Sequence, residues 1–203
     1  MKKISSVALC CLSVAAIGAG AAVAENSTPN PKQVASQACT TELHVIGVKQ
    51  FKMKYGDPHK SGDPAKAQHA MRNCKGKKSN SSENLVNDAA QECKAEQADP
   101  NFATTHGGQT FDQVYGTNHN QQNSFGKCVS GKVHAALGQI ETNLQNAAQA
   151  CRAERSDPNF AAGHGGKTFS EFYGTEKSKR KNAFGKCVSQ KAKAQGSAPA
   201  PTT

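Results

Sequence analysis

The chain has 203 residues, 25 of them basic and 15 acidic, for a formal charge of +10. It has no tryptophan, and from Glu25 onward the residues Leu, Ile, Val and Phe fill 22 of 179 positions, below the roughly 20% at which a charged chain begins to resemble a disordered one. A large aliphatic core is therefore excluded, and the eight cysteines point to what replaces it.

Residues 1–24 read as a secretory signal: Lys2-Lys3, an apolar run from Ile4 to Val23, and Ala22-Val23-Ala24 before Glu25. Cys10 and Cys11 leave with it. Leu9 before Cys10 is too large for a lipidation site, so a lipid anchor is not expected. No later stretch is long and apolar enough to span a bilayer. The expectation is a secreted or cell-envelope protein whose mature chain, of charge near +8 (23 basic minus 15 acidic), has no transmembrane segment.

Six cysteines remain, Cys39, Cys74, Cys93, Cys128, Cys151 and Cys187, an even number in an exported chain, which reads as disulfides. Taken in order they are separated by 35, 35 and 36 residues, which favours Cys39–Cys74, Cys93–Cys128 and Cys151–Cys187. Three units follow. Residues 82–133 and 140–193 match closely: Asp99-Pro-Asn-Phe102 with Asp157-Pro-Asn-Phe160, His106-Gly-Gly with His164-Gly-Gly, Tyr115-Gly-Thr with Tyr173-Gly-Thr, and Asn123-Ser-Phe-Gly-Lys-Cys128 with Asn182-Ala-Phe-Gly-Lys-Cys187. Residues 32–78 are diverged but keep Phe51-x-x-x-Tyr55-Gly56 between their cysteines.

Within a unit the signals are helical. Ser82 is read as the cap of a segment carrying Leu85, Ala89 and Cys93 on one face, and Lys75 to Ser82, basic and serine-rich, as a hinge between units one and two. Asp99-Pro100 is expected to open a short helix that Gly107-Gly108 ends. Thr110 is expected to cap a second one bearing Phe111 and Tyr115, and Asn123 and Asn182 the helices that follow. Gly126 and Gly185 are expected to let the facing helix approach for the disulfide. Val133, Leu137, Ile140, Leu144, Ala147 and Cys151 step by 4, 3, 4, 3 and 4, so one helix should join units two and three. Residues 196–203, Gly-Ser-Ala-Pro-Ala-Pro-Thr-Thr, read as a disordered tail, as does the N-terminal signal region. The fold class is therefore all-α: three disulfide-stapled helical hairpins.

The pattern Cys-Lys/Arg-Ala-Glu, Asp-Pro, Phe-x-x-x-Tyr-Gly-Thr, Asn-x-Phe-Gly-Lys-Cys-Val-Ser resembles a repeat of uncharacterised exported proteins of high-GC Gram-positive bacteria. The resemblance covers units two and three, covers unit one poorly, and implies an exported helical repeat. It carries no activity and no catalytic residue.

No Gly-x-Ser-x-Gly, His-Glu-x-x-His, Cys-x-x-Cys or phosphate-binding glycine loop occurs, so no catalytic, cofactor or metal residue is assigned and an enzyme is not expected; a site at a unit junction is the minor alternative. The aromatic residues are read as core rather than as a ligand groove. His106 and His164 are read as groups at helix C-termini rather than metal ligands. Charge is uneven: nine basic and two acidic residues from Lys49 to Lys78, three and seven from Glu83 to Glu141, ten and four from Arg152 to Lys193. Lys75, Lys77, Lys78, Lys177, Lys179, Arg180 and Lys181 are the candidate contacts to a polyanion. Without a base-reading motif, sequence-specific nucleic-acid binding is not expected. The sequence points to a structural or binding module whose partner is an anionic envelope polymer, an anionic membrane surface or another protein.

Overall fold

A computed structural model describes residues 28–56, 66–176 and 180–196; the signal region and residues 197–203 of the inferred tail lie outside it, and Gly196, read as the start of the tail, is the last residue of a helix. The described residues form eight helices and no strand: α1 (Pro31–Tyr55), α2 (Lys66–Ala98), α3 (Phe102–Thr105), α4 (Phe111–Tyr115), α5 (Ser124–Ser156), α6 (Phe160–Gly163), α7 (Phe169–Tyr173) and α8 (Ala183–Gly196). All three disulfides join the pairs that the spacing favoured, each with Cα atoms 6.0 Å apart. All six cysteines are fully buried.

Asn30 starts α1 by accepting the Lys32 N–H at 2.9 Å, with Pro31 in the first turn, where a missing N–H costs nothing. Halfway along, Gly47 leaves helical geometry (φ 80°, ψ 156°), a conformation that suits glycine, and bends the helix. Val34, before the bend, packs with unit two, while Ile46, Phe51 and Tyr55 pack with unit three.

The helix predicted to join units two and three is α5, 33 residues long and carrying both Cys128 and Cys151. Units one and two are joined in the same way: α2, also 33 residues, carries Cys74 and Cys93. This corrects two expectations. Lys75 to Ser82 is no hinge, and Ser82 caps nothing; it lies buried within α2. The segment has serines and one glycine but no proline, and a glycine in a helix costs only about 1 kcal/mol. Disulfides at both ends and burial of Val86 and Ala89 oppose that cost.

Smaller corrections concern helix starts. Asp99 does not cap α3; its Oδ1 accepts the Asn101 N–H at 2.8 Å in a turn, and the helix begins at Phe102. Asn123 stands before α5 but its side chain makes no capping bond. Instead it accepts the Thr117 N–H at 3.0 Å and donates to Thr117 Oγ1 at 2.7 Å, tying down the loop after Tyr115; Asn182 and Thr175 repeat this at 3.1 Å for both bonds. A Cβ added at Gly185 would meet only Gln50 Oε1 at 3.9 Å, so close approach of the disulfide-bonded helix does not require that glycine. Thr110 caps α4 as expected, and Gln113 completes a capping box that Thr168 and Glu171 reproduce in unit three. Gly107, Gly108, Gly165 and Gly166 all have positive φ, as helix-ending glycines should.

The rings are core. Phe102 meets Phe111 and Phe160 meets Phe169 edge-on, each at 5.6 Å. One apolar cluster belongs to unit two with Val34. The other is shared: Phe51, Tyr55 and the Cys39–Cys74 bridge of unit one pack with Phe160, Phe169, Phe184 and the Cys151–Cys187 bridge of unit three. The chain thus turns back on itself, and its two outer units form one body.

Converting Cys93 and Cys128 together to Ala should lower unfolding stability by about 3–4 kcal/mol, the chain-entropy value for a loop of this length. Chemical denaturation of the oxidised protein measures it. Non-reducing peptide mapping should recover the three cross-links and no peptide joining Cys128 to Cys151.

Candidate functional site

Aligning the units on their cysteines reveals a polar cluster that the sequence reading did not single out. A glutamate stands three residues after the first cysteine of every pair (Glu42, Glu96, Glu154), and a lysine four residues after the second (Lys78, Lys132, Lys191). These offsets put the carboxylate and the ammonium one helical turn beyond the disulfide, on the faces where the two helices cross. The third member is the tyrosine of Phe-x-x-x-Tyr. All three tyrosines of the chain donate to these glutamates: Tyr55 to Glu42 at 3.0 Å, Tyr115 to Glu96 and Tyr173 to Glu154 at 2.8 Å.

The lysines close the cluster. Lys132 reaches Glu96 at 2.8 Å and Glu92 at 3.0 Å, Lys191 reaches Glu154 at 2.7 Å, and Lys78 reaches Glu42 at 3.1 Å. Glu96 and Glu154 each lie 3.9 Å from the second cysteine sulfur, a packing contact only, because a disulfide sulfur has no proton to donate. Unit one differs in depth. Glu42 is 2% exposed and takes a second ammonium, Lys54, which also donates to Ser189 of unit three. The diverged unit therefore keeps the cluster, and α8 helps cover it.

Burial acts to raise the pKa of Glu42, Glu96 and Glu154, but the lysines, joined at Glu96 and Glu154 by the tyrosine hydrogen bonds, outweigh it and hold all three below the ordinary carboxylate value. The tyrosines move the other way. Burial and the adjacent carboxylate raise Tyr55 and Tyr115 and push Tyr173 up to about 12. Neutral tyrosines, paired lysines and ionised glutamates form a satisfied network.

The predicted polyanion contacts divide. Lys75 and Lys77 are exposed on α2, and Lys181 is exposed before α8. Lys78 is committed to Glu42 and Arg180 to Glu171 at 2.9 Å; Lys177 and Lys179 lie outside the described residues. The fold brings the basic segments of units one and three together. A cleft of about 260 Å³ opens between α1, α2 and α8, lined by Lys54, Tyr55, Lys77, Asn182 and Lys186 among others. Lys54 and Lys186 were not among the predicted contacts, because isolated lysines carry no signal until the fold places them side by side.

His106 and His164 each donate from Nδ1 to the carbonyl of Phe102 or Phe160 at 2.8 Å, and stack on that ring at 3.8 Å. Among the described residues no three His, Cys, Asp or Glu side chains converge as metal ligands do. No described helix is long and apolar enough to cross a membrane. No protein family, curated protein or solved structure matches the chain.

The network has a pH signature. The glutamates' folded pKa values lie below their unfolded ones, so their stabilisation is present above the ordinary carboxylate range and is lost as pH falls through the folded values. The tyrosines' values are raised, so their stabilisation is present below the free phenol value near 10 and is lost as pH rises past it, for Tyr173 through about 12. Tm against pH should show a plateau falling at both ends, with tyrosinate absorbance of the native protein delayed relative to the unfolded chain. Glu42→Gln should destabilise most of the three Glu→Gln changes, by up to about 3–5 kcal/mol, the cost of breaking a buried ion pair, reduced by the water that Lys54 and Lys78 keep.

Proposed function

We propose that the protein is an exported binding and structural module, working outside the cell membrane or at the envelope, and that the joined basic faces of units one and three hold it to an anionic polymer. Three buried disulfides support an oxidising compartment. The observation that carries the reading is the packing of unit one against unit three. Two segments that are basic in sequence are separated by an acidic one, yet they become neighbours in space.

The ion pairs sharpen it. Lys78, Lys132, Lys191 and Arg180 are consumed internally, whereas Lys75, Lys77, Lys181 and Lys186 are exposed and make no ion pair among the described residues. A surface of unpaired lysines attracts polyanions over roughly a Debye length, about 10 Å at 0.1 M salt. Unit two, with its acidic excess, spaces and stiffens the body through α2 and α5.

Retention of the purified protein on an anionic polymer such as heparin or cell-wall teichoic acid should fall steeply from low to moderate salt. Changing Lys75 and Lys181 to Ser should bring elution to lower salt while leaving Tm unchanged, since neither makes an ion pair with any of the described residues. Retention indifferent to salt would sink the reading.

A further inference from the structure

The cleft between α1, α2 and α8 carries a more specific conclusion, which rests on the anionic-polymer reading and narrows it. We infer that it is a binding site for a single phosphoryl group attached to a small hydroxylated body, such as a polyol or a sugar.

The first argument is charge. Around the cleft and the Glu42 cluster that adjoins it stand five lysines of the described residues, Lys54, Lys77, Lys78, Lys186 and Lys193, against one carboxylate, Glu42, a local excess of +4. Among the described residues no carboxylate lines the cleft itself. Glu42 binds Lys54 and Lys78, leaving Lys77 and Lys186 facing it from different helices. Like charges gathered this way repel, and a phosphoryl group relieves the repulsion better than chloride because its negative charge is spread over oxygens that several ammonium groups can contact at once.

The second is preorganisation. Lys54 Nζ and Lys77 Nζ lie 5.2 and 5.7 Å from the centroid of the same ring, Tyr55, and that ring is itself fixed by its bond to Glu42. The cations are thus held near one another before any ligand arrives, which lowers the ordering cost of binding. Ser189, which accepts from Lys54 and donates to the Gly185 carbonyl at 2.7 Å, fixes the α8 wall.

The third is the remaining lining. Met53 and the Tyr55 ring offer apolar surface for a carbon skeleton. The Gln50 side-chain oxygen is buried and has no hydrogen-bond partner among the described residues. Gln50 lines the cleft, and a turn of its side-chain amide can bring its donor or its acceptor to a hydroxyl beside the phosphoryl group. The cleft volume suits one such unit rather than a length of polymer, so a chain would enter by an end or a side group.

The test is calorimetric titration of the oxidised full chain with glycerol phosphate, a phosphomonoester, and with bis(glycerol) phosphate, a phosphodiester, at constant ionic strength set by chloride. Saturable 1:1 binding of either supports the site, and binding of the diester ties it to a polymer rather than to a free metabolite. Lys186→Gln and Lys77→Gln should each weaken binding at least about tenfold, the loss of one charge-assisted contact. Lys167→Gln, exposed and outside the cleft, should not. Both cleft lysines are exposed, so intact cross-links and an unchanged ligand-free Tm serve as the folding control. Absence of saturable heat, or binding undiminished in both cleft variants, overturns the inference. If polymer retention survives Lys77→Gln and Lys186→Gln while the small phosphates fail to bind, the surface reading stands and the cleft is rejected.

Discussion

Each unit depends on one covalent crossing. A chain this poor in aliphatic side chains cannot offset the conformational entropy of ordering its backbone by burial alone. Three disulfides, each closing a loop of about 35 residues, reduce the entropy of the unfolded chain and fix where pairs of helices cross. Everything local is referred to those crossings. The phenylalanines fill the space beside them, and the Tyr–Glu–Lys network sits one turn away. In units two and three it pins the short helix that ends in the tyrosine to the long ones.

That network joins packing to electrostatics. Tyr115 and Tyr173 each bring a ring to the core and a hydroxyl to a carboxylate, so the same side chain closes the apolar cluster and satisfies the polar one. In unit one the network goes deeper because α8 covers it, and Lys54 extends it to Ser189. The bond that completes unit one is therefore also a bond to unit three. A local device has become part of the tertiary interface.

Long helices make this return possible. At 1.5 Å per residue α2 and α5 each run roughly 50 Å, long enough for each to serve two units. One carries the chain out from unit one to unit two, and the other brings it back to unit three. The start of α1 meets one core through Val34, and the rest, from Cys39 past the bend at Gly47 to Tyr55, meets the other. The consequence for function is that basic segments far apart in sequence share a face. Pairing then decides which of their charges remain outward: Lys78 and Arg180 turn to glutamates, while Lys75, Lys77 and Lys186 pair with none of the described carboxylates.

Spacing and composition alone determined the helical class, the three pairings and the helix through Val133 to Cys151, because a cysteine separation, a 3-4 periodicity and a lack of aliphatic residues are properties of the chain itself. The Thr110 cap and the paired glycines were legible for the same reason: their geometry is set within a few residues. The rest was decided by tertiary structure. Lys75 to Ser82 looks like a linker in isolation, but packing at Val86 and Ala89 and crossings at both ends hold it helical. The Cys-x-x-Glu and Cys-x-x-x-Lys offsets stood in the sequence, yet their partnership with tyrosine required knowing which helices cross and how. Nothing local joins Lys77 to Lys186; only the return of unit three onto unit one places them across one cleft, because an apolar interface, not chain connectivity, sets that distance.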